Sequence, residues 1–243
     1  MGVVKDLRAA FLSDIHANFT ALAHALESVR RYRADAIFIA GDLVGGGPHP
    51  VEVLRYIEAR NIQAVRGNVE NRLLGLYERG RSFKKLFRKK KTGTHWTGLQ
   101  LGAREWSFLS SLPESLILNL NGFALSIVHG SPLSDAACIY PSLTAGGLRD
   151  MLVNRFPDVL VCGHTHIPFT KIIEATQIVN CGSVGLPVNG DPRGSYALVD
   201  LEKGGRARCR IVRFAYPTEN VLDDLYERKV PRTSRERFMA GLM

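Results

Sequence analysis

Five short segments carry residue types that bind metal ions: Ser13-Asp14-Ile15-His16, Gly41-Asp42, Gly67-Asn68-Val69-Glu70, His129-Gly130 and Gly163-His164-Thr165-His166. Each follows a short apolar run. An Asp or Asn in such a place is ordinarily a helix cap or turn former, and a lone histidine such as His129 is ordinarily packed or surface-exposed. Seven such residues, each beside a glycine or in a D-x-H or H-x-H pair, ask for a common explanation. Asp14, His16, Asp42, Asn68, His129, His164 and His166 form a mixed nitrogen and oxygen donor set, which suits manganese, iron, zinc, cobalt or nickel and does not suit calcium. Seven donors exceed the four of a tetrahedral zinc. Two ions of octahedral leaning that share one carboxylate would use them all. Residues i and i+2 of an extended chain point the same way, so each pair is expected to present two ligands to one place, with the glycines letting the backbone turn. Two divalent ions about 3.5–4 Å apart are the usual engine for hydrolysing phosphate esters.

The elements that must position these residues are legible from periodicity. Apolar runs at 8–13, 36–40 and 62–66 alternate with helical patterns at 18–33 and 50–60, an arrangement that predicts βαβ units and a mainly parallel sheet. In such sheets ligands bind beyond the carboxyl ends of the strands, where the five segments lie. After residue 115 the pattern turns β-rich. Asn121-Gly122 predicts a hairpin between LILNL and FALSIVH. A helix is expected around 143–156, then the strand DVLVC and four strand-like runs in TKIIEA, QIVNC, SYALVDLE and ARCRIVRFAY. TENVLDDLYER reads as a helix, 95–113 as one core-facing helix carrying Trp96, Leu99, Trp106 and Leu109, and 230–243 as a loosely held tail.

Composition sets the bounds. A chain of 243 residues with 45% hydrophobic and 23% charged residues is ordinary globular material, expected to form one domain. No apolar run approaches the ~20 residues of a membrane span. The first residues turn acidic too early for a signal peptide, and Asp6 breaks the myristoylation pattern after Gly2. Cys138, Cys162, Cys181 and Cys209 form no CxxC, so free thiols and a cytoplasmic location are expected. The net charge is +9, but the stretch RGRSFKKLFRKKK (79–91) holds eight basic residues and no acid. Without it the chain stands at +1. Segment 79–95 reads as a surface loop or insertion. It is either a solvated face or a platform for nucleotide or nucleic acid, with Phe83 and Phe87 available for packing or base stacking; an acidic membrane surface is a weaker third use. Phe83, Leu86 and Phe87 fall at helical spacing, which predicts an amphipathic helix with its lysines outward.

The order D-x-H, G-D, G-N-x-E, H-G, G-H-x-H resembles the calcineurin-like metallophosphoesterase family from Asp14 to about Gly190. GDLVGGGPHP and NCGSVGLPVNGDPRGSYALVDLE resemble its bacterial and archaeal single-domain branch. The resemblance implies a four-layer αββα sandwich, two mixed β-sheets flanked by helices. It implies one ion held by Asp14, His16, Asp42 and His166, and a second by Asp42, Asn68, His129 and His164, with Asp42 bridging. Manganese is the expected ion, with iron, zinc, nickel, cobalt or magnesium as alternatives. The implied chemistry is attack on phosphorus by a hydroxide bridging the ions, without a covalent intermediate. The family motif commonly reads G-N-H-D or G-N-H-E; here Val69 stands where that histidine would protonate the leaving group, so the general acid is unknown. A phosphodiester or anhydride is therefore expected ahead of a phosphomonoester. A binding or scaffold protein with weak catalysis is the alternative that Val69 motivates. Glu70 is expected to pair with Arg66 or Arg72 or to cap a helix, and His49 and His95 to sit at the surface.

Overall fold

Alternation along β1 (Leu7–Leu12) divides its side chains between two cores. Ala10 and Leu12 face one apolar cluster, and Ala9 and Phe11 face another. Such a strand must lie in a sheet covered on both sides. The computed structural model describes residues 6–152, 156–188 and 190–242. It shows two five-stranded mixed sheets. In the first, β1 pairs in parallel with β2 (Ala36–Ile39), which pairs with β3 (Gln63–Ala64). On the other side of β1 lies β9 (Gly194–Leu201), antiparallel, followed by β10 (Ala207–Phe214). In the second sheet β5 (Phe123–Val128), β6 (Val159–Cys162) and β8 (Thr176–Asn180) run parallel. They are flanked by the antiparallel edge strands β4 (Ser115–Leu120) and β7 (Phe169–Ile173).

Three apolar clusters separate four layers. Between the sheets lie Phe11, Phe38, Ile127, Val161, Val179 and Val199. Outside the first sheet, helices α1 (Phe19–Arg31), α2 (Pro50–Ala59), α3 (Asn68–Glu78), α4 (Phe83–Lys89), α5 (Gly93–Gln100) and α6 (Ala103–Ser111) contribute to a second cluster. Outside the second sheet, Leu148 of α7 (Ala145–Leu152) packs on Leu160 and Ile178. The architecture is the expected αββα sandwich. Asn121 (φ 56°) and Gly122 (φ 90°) make the hairpin turn between β4 and β5.

Several expectations need correction. The run 62–66 is a strand only at Gln63–Ala64, because Arg66 N–H turns away to the Pro113 carbonyl. Within the expected helix 143–156, residues 145–152 are helical; 153–155 lie outside the described residues, as do Gly2, Asn189 and Met243. The single helix expected over 95–113 is two, α5 and α6, and Leu99 is 39% exposed. The surface segment 79–95 is not a plain loop: it holds α4 and the start of α5. Phe83 stacks on Trp106 at 5.3 Å while Lys84, Lys85, Arg88, Lys89, Lys90 and Lys91 are exposed. Both phenylalanines pack inward, so neither is presented for base stacking.

The largest correction concerns 230–243. The chain forms α8 (Thr218–Glu227) and then α9 (Arg232–Leu242). Val221, Leu225, Phe238 and Leu242 join the core outside the first sheet. Gly241 lies so close to the Pro187 carbonyl that a Cβ would sit 2.1 Å from its oxygen. The segment is held because its few apolar residues fall on one helical face over an existing core. Phe238 is 1% exposed, so Phe238→Ala should cost about 3–5 kcal/mol of stability. Urea unfolding measures it; a loss under about 1 kcal/mol would mean the helix is not docked in solution.

Candidate metal centre

Three parallel strands of each sheet point their carboxyl ends to the same edge of the sandwich. The turn after β1 carries Asp14 and His16, that after β2 carries Asp42, and Asn68 opens α3 just beyond β3. His129 follows β5, and His164 and His166 follow β6. The paired residues do not reach the centre along extended chain as the spacing suggests. Asp14, His16, Asp42, His164 and His166 all have left-handed backbone, with φ between 50° and 65°. Such conformations cost of order 1–3 kcal/mol each. Backbone bonds hold them: Asp14 N–H to Gly41 O (3.0 Å), His16 N–H to Asp42 O (3.0 Å) and Ala17 N–H to Leu43 O (2.9 Å). Gly163 is needed where the two sheets meet, since a Cβ there would lie 1.9 Å from Ser13 Oγ.

The seven residues converge. The Nε2 of His166 is 3.1 Å from Asp14 Oδ1 and 3.1 Å from the Nε2 of His16. His16 Nε2 lies 3.7 Å from Asp14 Oδ1 and 3.6 Å from Asp42 Oδ2. His129 Nε2 is 3.4 Å from Asp42 Oδ1 and 3.1 Å from Asn68 Oδ1. The His164 ring stands 5.1 Å from that of His129, centre to centre. Donor atoms of Asp14, His16 and His166, and likewise of Asp14, Asp42 and His129, all lie within 4.8 Å of one another. His164 and His166 thus neighbour different groups: His166 sits with His16, and His164 with His129.

The donor chemistry fits cations. His16, His129 and His166 each set Nδ1 against a main-chain carbonyl, of Gly45, Ala40 and Leu186 respectively. A carbonyl only accepts, so Nδ1 carries the proton and the lone pair of a neutral ring is on Nε2. Those lone pairs face one another and carboxylate oxygens. Asp14 is fully buried, and its Oδ2 accepts from Ser13 Oγ (2.7 Å) and His164 N–H (2.9 Å) while Oδ1 has no hydrogen-bond partner. Lone pairs gathered around an orphaned buried carboxylate oxygen repel unless protons or metal ions lie between them.

Protonation responds accordingly. Burial opposes charge on Asp14, but the imidazoles outweigh it and hold its carboxyl well below the usual range. Burial also opposes the His129 cation, yet Asp42 and Asp14 push its pKa up to about 10. His164 is lowered, by burial and then by His129. Glu70, fully buried, is raised to about 7 by burial and then by Asp42. Its carboxylate pairs with neither Arg66 nor Arg72. It accepts backbone N–H groups of Gly67 (2.8 Å), Asp42 (3.0 Å) and Val44 (3.0 Å), tying the β2 turn to the start of α3. Asp42 Oδ1 in turn accepts from Val69 N–H (3.0 Å).

Comparison with known proteins gives the family. The calcineurin-like phosphoesterase superfamily domain model matches residues 7–204. The chain belongs to the calcineurin-like phosphoesterase superfamily. An uncharacterised protein of Methanocaldococcus jannaschii is 28% identical over 96% of this chain and 97% of its own. The crystal structure of a metallophosphoesterase from Sphaerobacter thermophilus, 28% identical, superposes with a TM-score of 0.78 over 98% of this chain and 100% of that one. A symmetrical bis(5'-nucleosyl)-tetraphosphatase of Buchnera aphidicola is 37% identical over 31% of this chain and 28% of its own. The superfamily is metal-dependent, and hydrolysis of phosphate esters is its general activity.

The structure adds residues that spacing did not single out. Asn180, at the end of β8, donates to the Gly163 carbonyl (2.7 Å) and to Thr165 Oγ1 (3.0 Å). Ser183 Oγ donates to the Asp14 carbonyl (2.8 Å). Arg72 and, from α9, Arg237 line the cavity beside the centre. Arg72 is four residues after Asn68 and so shares its helical face, a signal available in sequence. Arg237 had none, because its segment reads as a tail. His49 is buried against Asp224 (3.2 Å), not at the surface, and His95 Nδ1 meets the Lys90 carbonyl (2.8 Å). Neither lines the cavity.

Two predictions follow from the buried charges. In metal-free protein both His129 and Glu70 bind protons more tightly folded than unfolded. Their stabilisation is therefore present at low pH and lost as pH rises. Glu70 loses it between about 4.5 and 7, and His129 between 6.5 and about 10. The lowered His16, His49 and His164 work the other way up to about pH 7, so metal-free protein should melt progressively lower from about pH 7 to pH 10. Manganese should flatten that slope and, at pH 8, displace at least about one proton, that of His129, with any from a metal-bound water in addition, read by calorimetry in buffers of different ionisation enthalpy. Glu70→Ala orphans three backbone donors, each costing about 1–3 kcal/mol, so at least about 3 kcal/mol should be lost in urea unfolding.

Proposed function

We propose that this protein is a binuclear metal-dependent phosphoesterase that hydrolyses a phosphodiester or a related ester or anhydride. The observation that carries the reading is the orphaned Asp14 Oδ1, ringed by imidazole nitrogens whose lone pairs converge on it and on Asp42. Asp14, His16, Asp42 and His166 would hold one ion, and Asp42, Asn68, His129 and His164 the other, with Asp42 shared. Manganese is the first choice, with iron, zinc, nickel, cobalt or magnesium as alternatives. Two such ions, when bound, supply a deprotonated water near neutral pH and offset charge on the phosphoryl oxygens. The chain's own part is orientation: main-chain carbonyls fix three imidazoles, and Glu70 and Val69 N–H fix Asp42.

Proton donation to the leaving group is the missing function. Val69 lines the cavity and packs over Gly45, where a Cβ would lie 2.5 Å from Val69 Cγ1. General acid help is typically worth 10²–10⁴-fold. Substrates whose leaving groups depart as weak bases are therefore favoured, a diester or an anhydride over an alkyl monoester. The tetraphosphatase relative from Buchnera, whose name denotes an anhydride substrate, supports the same class.

Nucleic acid lying along 79–91 is a second reading, favoured by the exposed stripe Arg88 to Lys91. The inward packing of Phe83 and Phe87 and the absence of 79–91 from the cavity lining weigh for a solvated face. Four free cysteines support a cytoplasmic setting. Among the described residues no helix is long and apolar enough to cross a membrane.

Manganese-loaded protein should hydrolyse bis(p-nitrophenyl) phosphate, and Asp42→Asn should remove at least about 100-fold of kcat. Fully loaded protein inert to diesters, monoesters and nucleotides alike would favour the scaffold alternative. Neutralising Lys89, Lys90 and Lys91 should leave single-stranded nucleic-acid binding and its salt slope unchanged; a shallower slope would instead mark 79–91 as a nucleic-acid track.

A further inference from the structure

The cavity at the centre, of about 320 Å³, is at the small end of ligand pockets. One side is formed by the metal-site residues. Another is formed by α9, through Ser234, Arg237 and Phe238, and by Gly93 and Thr94 at the start of α5. These pieces are in close contact: a Cβ at Gly93 would lie 2.4 Å from Ser234 Oγ and 2.9 Å from Gly46 Cα. Helix α9 is thus a fixed wall of the cavity.

Arg72 and Arg237 line this cavity from separate helices, and both residues are exposed. Most arginines elsewhere are satisfied: Arg8 by Asp200, Arg55 by Glu105, Arg228 by Glu52. Among the described residues neither Arg72 nor Arg237 has a carboxylate or aromatic partner. Asp42 is the single acid among the described lining residues, and it is committed to the centre. Arg237 is near enough to His166 for its charge to oppose protonation of that ring. The positive end of α5 meets the cavity at Gly93 and Thr94. With two divalent ions bound, Asp14, Asp42 and a hydroxide would offset about three of the four metal charges, so the cationic surplus of the cavity lies mainly with the two unpaired guanidiniums and a helix N-terminus. A substrate carrying a single phosphodiester charge would leave the guanidiniums unmatched.

We infer that Arg72 and Arg237 are positioning residues that clamp a second phosphate of the substrate, so that the natural substrate is a small molecule with adjacent phosphates, a nucleoside or dinucleoside polyphosphate, and not a simple diester or a polymer. The inference rests on the phosphoesterase reading and specifies its substrate class. Guanidinium suits the role because its planar fork binds phosphate oxygens two at a time, which an ammonium does not.

The test is binding of inorganic diphosphate against inorganic monophosphate to the manganese-loaded protein at fixed free manganese, by calorimetry. Diphosphate should bind at least about 10-fold tighter. Arg72→Ala and Arg237→Ala should each weaken diphosphate by about 10-fold or more and monophosphate much less, and the lysine variants should recover only part. The manganese-induced rise in melting temperature should persist in all four, which shows the fold and centre intact. The triple change Lys89→Gln, Lys90→Gln, Lys91→Gln removes more charge outside the cavity and should alter neither affinity. Equal weakening of both anions, or of neither, would overturn the clamp, even where diester hydrolysis is normal. Conversely, selective diphosphate binding in a protein without hydrolysis would leave the clamp standing and remove the phosphoesterase reading.

Discussion

A buried carboxylate oxygen without a hydrogen bond governs this molecule. Asp14 Oδ1 is inaccessible to water and makes no hydrogen bond, yet the Nε2 atoms of His16 and His166 crowd it, and Asp14 in turn raises the pKa of His166. A protein has no reason to hold such atoms together for their mutual interaction, because isolated from cations they repel. The arrangement becomes favourable only when positive charge enters. In metal-free protein that charge is a proton, which explains why His129 holds one so tightly. A divalent ion offers more charge and accepts several donors at once.

The supporting structure answers the same demand. Left-handed backbone at Asp14, His16, Asp42, His164 and His166 folds five side chains inward within a few residues of their strands. Extended chain could not do this, since alternate residues along a strand stay on one face while a turn redirects them. The strain is absorbed by bonds between turns: the β1 turn lies on the β2 turn through three main-chain bonds. Glu70 is the tie that makes the β2 turn and the start of α3 one unit. The segment after β8 closes over the β1 turn, with Val184 and Gly185 N–H bonded to Ser13 and Asp14 carbonyls. It also supplies the Leu186 carbonyl that sets the tautomer of His166. Helix α9 then packs on this segment through Gly241 and Pro187.

What was legible in the sequence divides along physical lines. Period-2 and period-3.6 patterns revealed β1, β2, α1, α2 and the β-rich second half, because these elements bury one face against a large core. Asn121-Gly122 marked the hairpin because only such residues accept its dihedrals cheaply. The seven candidate ligands were visible because each follows a strand end, and strand ends of parallel sheets share an edge. The left-handed turns were not visible, since Asp and His give weak local signals for them and the tertiary bonds that enforce them are non-local. Glu70 caps the start of α3 through Gly67 N–H, one of the two roles its position allows; its further bonds to Asp42 and Val44 N–H join distant segments and carry no sequence signature. Helix α9 was missed because its polar residues outnumber its apolar ones, and only the core already built beneath Phe238 makes it worth folding. The arginine it carries to the cavity was hidden with it.

Val69 and the two arginines, though separate in origin, bear on one chemical question. A missing proton donor matters in proportion to the basicity of the departing oxygen. An alkoxide needs help; a phosphate, whose second pKa is about 6, leaves largely unprotonated at neutral pH. An anhydride thus removes the need for the histidine that Val69 replaces. The same anhydride brings extra negative charge to the reacting phosphorus, which a cavity with only a bimetallic centre would hold loosely. Arg72 and Arg237 supply the counter-charge for that addition. On this account the valine and the arginines are paired features of one substrate preference: the first marks what the leaving group does not require, and the second marks what its extra charge does.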